Sequence, residues 1–187
     1  MTLTVIIVLV IIAVVVLALV AIYNSLVKRR NQVDNSWSQI DVQLRRRHDL
    51  IPNLVEAVKD YMEFEQDTLT RVTEARSMAI AAGQRGPEAQ AQAENMLSDA
   101  LKSLFAVTEN YPDLKANQNV MSLQEELTAT ENKISFARQF YNDSVLTYNN
   151  KIQTVPSNLV AGLFNFTPRQ YFEAPEAARE VPKVDLR

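Results

Sequence analysis

Apolar residues recur along this chain at alternating steps of three and four, and one stretch has no polar face at all. From Leu3 to Ile22 the sequence reads LTVIIVLVIIAVVVLALVAI, twenty residues of which sixteen are Leu, Ile or Val. As a helix this run rises about 30 Å, the thickness of a bilayer's hydrocarbon core. At roughly −0.3 to −0.6 kcal/mol per Leu, Ile or Val, insertion is favourable by roughly 5 to 10 kcal/mol. The pattern predicts a single transmembrane helix. Nothing basic precedes it, and it exceeds the apolar core of about 7–15 residues that a cleaved signal peptide carries, so the segment is expected to stay attached.

The next stripe follows directly. Leu26, Val33, Trp37, Ile40, Leu44, Ile51, Leu54, Val58 and Tyr61 keep three- and four-residue steps, skipping the core position near Arg47. Val72 and Ala79 continue the phase, so a heptad stripe of coiled-coil type is predicted to reach "AAGQRGPE". There Gly83 and Gly86 supply a cap and turn, and Pro87 suits the start of the next helix. A second helix is predicted from Pro87 to Asn110 on Ala93, Leu97, Ala100, Leu104, Val107 and Tyr111. The third carries Ala116, Val120, Leu123, Leu127, Thr130, Ile134, Ala137, Tyr141, Ser144 and Tyr148, with Glu125, Glu126, Glu131, Lys133 and Arg138 on its outer face.

Beyond Asn149 the regularity fades. "SNLVAGLF" fits one or two helical turns capped by Ser157, and Phe164, Phe166, Tyr171 and Phe172 read as anchors folding back. No strand pattern or hairpin signal occurs. The expected fold is therefore all-α: an N-terminal transmembrane helix followed by an antiparallel up-and-down helical bundle, with three long helices plus a short fourth, or four. The three predicted helices have about 57, 24 and 40 residues, roughly 85, 36 and 60 Å, which do not match as one simple bundle. Phase continuity through Pro52 favours a kinked continuous first helix, whereas the length mismatch favours a reversal near Asp49–Pro52. The divisions are an anchor over 1–27, a helical domain over 28–172 and a polar, mobile tail over 173–187.

Charge refines the picture. Residues 28–47 hold six basic and two acidic side chains, and residues 48–187 hold thirteen and twenty. Lys28, Arg29 and Arg30 flank the apolar run, with Arg45 and Arg46 further on. This basic collar suits anionic headgroups or an acidic partner, at about 1 kcal/mol per residue near the surface. The acidic body argues against nucleic acid as partner. The positive-inside rule places the N-terminus outside and residues 28–187 in the cytoplasm, making this a single-pass protein of the cell (inner) membrane.

Candidate chemistry is thin. His48 is the chain's one histidine, and there is no cysteine. A zinc site wants three or four such ligands, and a di-iron carboxylate bundle wants Glu-x-x-His on two helices; neither pattern occurs. No Gly-rich phosphate loop is found. His48 is read as solvated or capping, Arg47 as snorkelling its head outward, and Glu125, Glu126 and Glu131 as solvated. Tyr141, Tyr148, Phe105 and Phe136 are read as core or helix-contact residues. Asn110, Asn117, Asn142, Asn149 and Asn150 are expected to cap helices and satisfy backbone groups where helices meet. No catalytic residue, cofactor or metal is expected.

The segments "RRRHDLIPNLVEAVKDY", "NYPDLKANQNVMSLQEELTATENKI" and "ARQFYNDSVLTYNNKIQTVPSNLVAGLF", with the terminal "RQYFEAPE", resemble the LemA family. The resemblance covers nearly the whole chain. It implies a membrane-anchored bundle of four helices, bromodomain-like in its up-and-down arrangement, with no established activity or cofactor. It also implies a role in membrane organisation, by analogy with related magnetosome proteins, and a membrane metalloprotease as a partner. Three positions depart from the family pattern. Asp60 replaces a common Gly and suggests that the helix runs uninterrupted through residue 60; Val155 replaces Phe; and Asn165 stands where Gly is usual.

These readings lead to a non-enzymatic, membrane-anchored scaffold or interaction protein. Self-association to a homo-oligomer is expected through an unpaired stripe formed by Leu26, Val33, Trp37, Ile40 and Leu44. The alternative is a sensory or small-ligand-binding module built on the asparagine-lined junctions.

Overall fold

The structure, a computed structural model, describes residues 2–62 and 65–173. All elements among them are helical: α1 (Thr2–Lys59), α2 (Gln66–Ala82), α3 (Pro87–Thr108), α4 (Pro112–Lys115), α5 (Gln118–Gln153) and α6 (Ser157–Leu163). The described chain divides into two compact units. One comprises residues 2–38 and 139–169, the other residues 39–138 and 170–173. The expected tail over 173–187 lies, apart from Glu173, outside the described residues.

In the first unit α1 begins as the apolar run, whose side chains are exposed along its length. The helix is long and apolar enough to cross a membrane. Leu26 and Val33 are then buried, and the Trp37 ring lies 5.4 Å from that of Tyr141 on α5. α6 ends in a Schellman turn: Phe166 N–H donates to the Ala161 carbonyl at 2.9 Å and Asn165 N–H to that of Gly162 at 3.5 Å. This turn requires a left-handed residue, and Asn165 supplies it with φ 55°. Asparagine is one of the few non-glycine residues that adopt this conformation readily. Ser157 is the first residue of α6, after the cap position at Pro156. The segment beyond is tied back to α5. Tyr148 Oη donates to the Thr167 carbonyl at 3.0 Å, and the Asn149 amide exchanges two bonds of 2.9 Å with the Arg169 backbone. Phe166 is buried as expected; Phe164 is not, at 55% exposure.

The second unit has one apolar core, drawn from Ile51, Leu54 and Val58 of α1, from α2, α3 and Leu114 of α4, and from Val120 and Leu127 of α5. α1 passes through Pro52 without reversing, and it does not reach residue 82 either. It ends at Lys59, where Tyr61 and Met62 N–H both donate to the Val58 carbonyl at 3.1 Å. Met62 is then fully buried and Tyr61 is 42% exposed, so Tyr61 leaves the predicted stripe. Asp60 accordingly lies in a turn and does not carry the helix onward.

The proline is accommodated by a distant partner. Pro52 has no N–H, which leaves the carbonyl four residues back, that of His48, without its helical donor. Arg76 of α2 fills the vacancy, donating from Nε to that oxygen at 2.6 Å. Gly83, Gly86 and Pro87 behave as read: α2 stops at Ala82, Gly86 takes φ 101°, and Pro87 opens α3. "NYPD" yields a separate single turn, α4, and the Asn117 side chain caps α5 by accepting from Asn119 N–H at 2.9 Å.

Candidate functional site

The polar chemistry of the second unit converges on one point inside it. Arg47 occupies the stripe position that looked skipped. Its side chain is only 2% exposed, so it does not snorkel outward. Buried guanidinium requires charge and hydrogen-bond partners, and Glu94 of α3, 1% exposed, pairs with Nη2. Nη1 pairs with Glu131 of α5 and donates to Ser98 Oγ at 2.9 Å. His48 is buried too, with Nε2 2.9 Å from Glu94 Oε1; it is neither solvated nor a cap. Gln90 donates to the same oxygen at 3.1 Å, and Ser98 donates to Glu131 Oε1 at 3.3 Å. Nearby, Arg138 donates to Asn95 Oδ1 at 3.0 Å and lies 5.0 Å over the Phe172 ring, so Phe172 does fold back. Arg138, expected on a solvated face, is thereby drawn into this polar region, whereas Glu131 reaches Arg47 from the solvated face it was expected on, its side chain 51% exposed.

The electrostatics follow from burial against pairing. Burial pushes the Glu94 carboxyl up, but the His48 hydrogen bond and the Arg47 guanidinium outweigh it and hold the group below its ordinary range. Arg138 is lowered by its burial, only partly offset by Glu131. Beside the cluster a groove of about 170 Å³ runs between Arg47, Ser98, Lys102, Phe105, Leu127 and Glu131.

What this arrangement can do chemically is limited. A nucleophilic serine needs a base on its hydroxyl. Ser98 does donate to the Glu131 carboxylate, but that group is already paired with the Arg47 guanidinium, and the His48 imidazole bonds Glu94 rather than Ser98. Among the described residues, no group of three or more His, Asp and Glu side chains is placed to hold a metal ion. The cluster ties α1, α3 and α5 together.

The residues expected at a membrane or partner surface are placed as follows. Lys28 is exposed, Arg29 is half-buried, and Arg30 sits 5.2 Å over the Phe166 ring. Arg45 pairs with Asp41, and Arg46 reaches Glu126 at 3.4 Å. Leu26, Val33, Ile40 and Leu44 are at most 2% exposed, and Trp37 is half-covered with Tyr141 against it. The unpaired stripe posited for self-association is therefore already covered by the chain itself. Phe136 is likewise not core, at 74% exposure.

A family model described as the LemA family matches residues 36–186. The chain belongs to the LemA family. A relative, Protein LemA of Metamycoplasma hominis, is 28% identical over 167 residues, covering 88% of this chain and 75% of that one. Magnetosome protein MamQ 2 of Paramagnetospirillum magneticum is 26% identical over 81% of this chain, and Magnetosome protein MamQ of Magnetospirillum gryphiswaldense 24% over 80%. In both comparisons the match spans 64% of the magnetosome protein's length. None of these names is that of an enzyme. Together with the apolar helix, they point to a membrane-associated protein of this family.

Glu94 escaped the sequence reading, although a signal existed. Gln90, Glu94, Leu97, Leu101 and Leu104 follow four-three-four-three steps, so Glu94 is a charge on an apolar stripe, as Arg47 is. Opposite charges interrupting two stripes are a pairing signal.

Proposed function

We propose that this chain is a non-enzymatic, membrane-anchored scaffold: an up-and-down helical bundle carried on a single-pass anchor at the inner membrane, its N-terminus outside. The observation that carries this reading is that α1 passes from the apolar run to the packed Leu26 and Val33 with no linker between. Such an anchor presents its helical domain to partners at a membrane surface. The polar cluster supports the same reading, since each of its reactive groups is engaged in holding helices.

Self-association belongs to this proposal, through surfaces other than the covered stripe. A membrane-protein partner, with the metalloprotease class as the family analogy, is the other arm. The mass of the full-length protein extracted into native nanodiscs, with co-purifying chains identified, tests both. A defined homo-oligomer or a stoichiometric partner is expected. A lone monomer in every preparation would remove the scaffold reading. Of the five asparagines behind the ligand-binding alternative, Asn117 and Asn149 are occupied in capping and in holding the Arg169 backbone, which favours the scaffold reading.

A further inference from the structure

The first unit carries a second apolar surface besides the anchor. Between Lys151 and Arg169 the sequence has no charged residue, seventeen positions in a row, in a chain with 22% charged residues. This stretch contains α6 and the turns on either side. Its exposed side chains include Val155 at 79%, Leu159 at 71%, Leu163 at 76% and Phe164 at 55%. Leu159 and Leu163 are four apart on one face of α6, while Val160 and Ala161 are buried. Apolar side chains this open to water need a reason.

Their position supplies it. The Phe164 ring lies 4.8 Å from that of Tyr23, the residue immediately after the apolar run Leu3–Ile22. Phe166 lies 5.8 Å from the same ring. Tyrosine at the end of an apolar span marks the level where hydrocarbon meets headgroups, so the α6 surface is at that level too. Charge agrees. The first charged residues bounding the two uncharged stretches are Lys28, Lys151 and Arg169, all basic, and Lys28 is followed by Arg29 and Arg30. Arg169 is paired with Asp34 at 3.0 Å, so Lys28, Arg29, Arg30 and Lys151 carry the net positive charge beside the charge-free apolar tip, which suits an anionic bilayer surface.

We infer that α6 and its flanking turns form a second membrane contact: Leu159, Leu163 and Phe164 enter the lipid interface beside the anchor. This clamps the end of α5 to the bilayer as well as α1. The inference rests on the reading of Leu3–Ile22 as a membrane anchor, and its test separates the two.

The natural chain has no cysteine, so single cysteines are introduced into the full-length protein as Leu159→Cys, Leu163→Cys, Val14→Cys and, as an exposed control in the second unit, Ser122→Cys. Each is labelled with bimane and reconstituted into phosphatidylcholine–phosphatidylglycerol vesicles, with or without acyl-brominated phosphatidylcholine. Bromolipid is expected to quench the labels at 159, 163 and 14, and to leave that at 122 unchanged. Quenching at 14, with 159 and 163 behaving like 122, would overturn the second contact and leave the anchor standing. No quenching at 14 would overturn the anchor and the inference with it. Self-quenching at 163 without bromolipid quenching would assign the patch to a second copy and overturn the lipid contact.

Discussion

Arg47 and Glu94 show how a charge can hold an apolar stripe position. Each would be costly to bury alone, and together they pair, with Glu131 and Ser98 bonding Arg47 Nη1, His48 and Gln90 bonding Glu94, and Arg47 Nε left without a hydrogen-bond partner. Removing one partner leaves the other charge buried. Arg47→Met is therefore expected to destabilise the protein by about 3–5 kcal/mol in chemical denaturation; a loss below about 1 kcal/mol would show that Glu94 finds another counter-charge. The cluster also sets an acid limit. The Glu94 carboxyl lies below its ordinary 4.5 in the folded protein, so at acid pH the unfolded chain binds the extra proton more readily. Its contribution is present in full above 4.5 and is lost as pH falls through the lowered folded value. Glu94→Gln should flatten that part of the stability–pH curve, read by denaturant midpoints at successive pH values; an unchanged slope would assign the acid sensitivity to other groups.

At the scale of elements, two departures from helical rules have local remedies. In α1 the remedy for Pro52 is Arg76, which supplies the missing donor to the His48 carbonyl. Arg76→Met should cost about 1–3 kcal/mol, by leaving that acceptor unsatisfied. In a Pro52→Ala background, where the helix can supply its own N–H, the same substitution should cost markedly less. A double-mutant cycle in denaturant measures the difference, and strict additivity would refute the compensation. At the end of α6 the left-handed position at Asn165 makes a related prediction. Asn165→Gly should be close to neutral and Asn165→Ala should cost about 1 kcal/mol, as read from unfolding midpoints. Equal effects would mean that the Schellman turn is not held.

At the scale of the whole molecule, the sequence pattern was most informative where apolar residues alone decide the fold. The α5 stripe from Val120 through Leu127, Ile134 and Tyr141 to Tyr148 is buried as its spacing implied. The Gly86–Pro87 junction is likewise where the residues place it. Stripe phase was a poor guide to where a helix stops: Val72 and Ala79 stay in phase with Val58, yet burial of Met62 turns the chain between them. Polar burial was the least legible. A charge on an apolar stripe looks like a gap until its partner on another helix is known, and those partners lie 47 and 84 residues from Arg47. At this scale one further outcome is expected. The full-length protein should stay with the membrane through alkaline carbonate extraction, and release into the supernatant would exclude integral insertion of Leu3–Ile22.

The Arg76 bond also imposes an order of assembly. A helix ordinarily completes its ladder from its own neighbours within nanoseconds per residue, but the ladder of α1 has a rung that arrives 28 residues later in the chain. As the polypeptide leaves the ribosome, the anchor can form before the turn that ends at Pro52 is secured, and α2 then locks it. In the mature protein the amides of the turn leading into Pro52 should therefore exchange with solvent at the rate at which α2 undocks, faster in Arg76→Met, while those of the anchor keep their own pace.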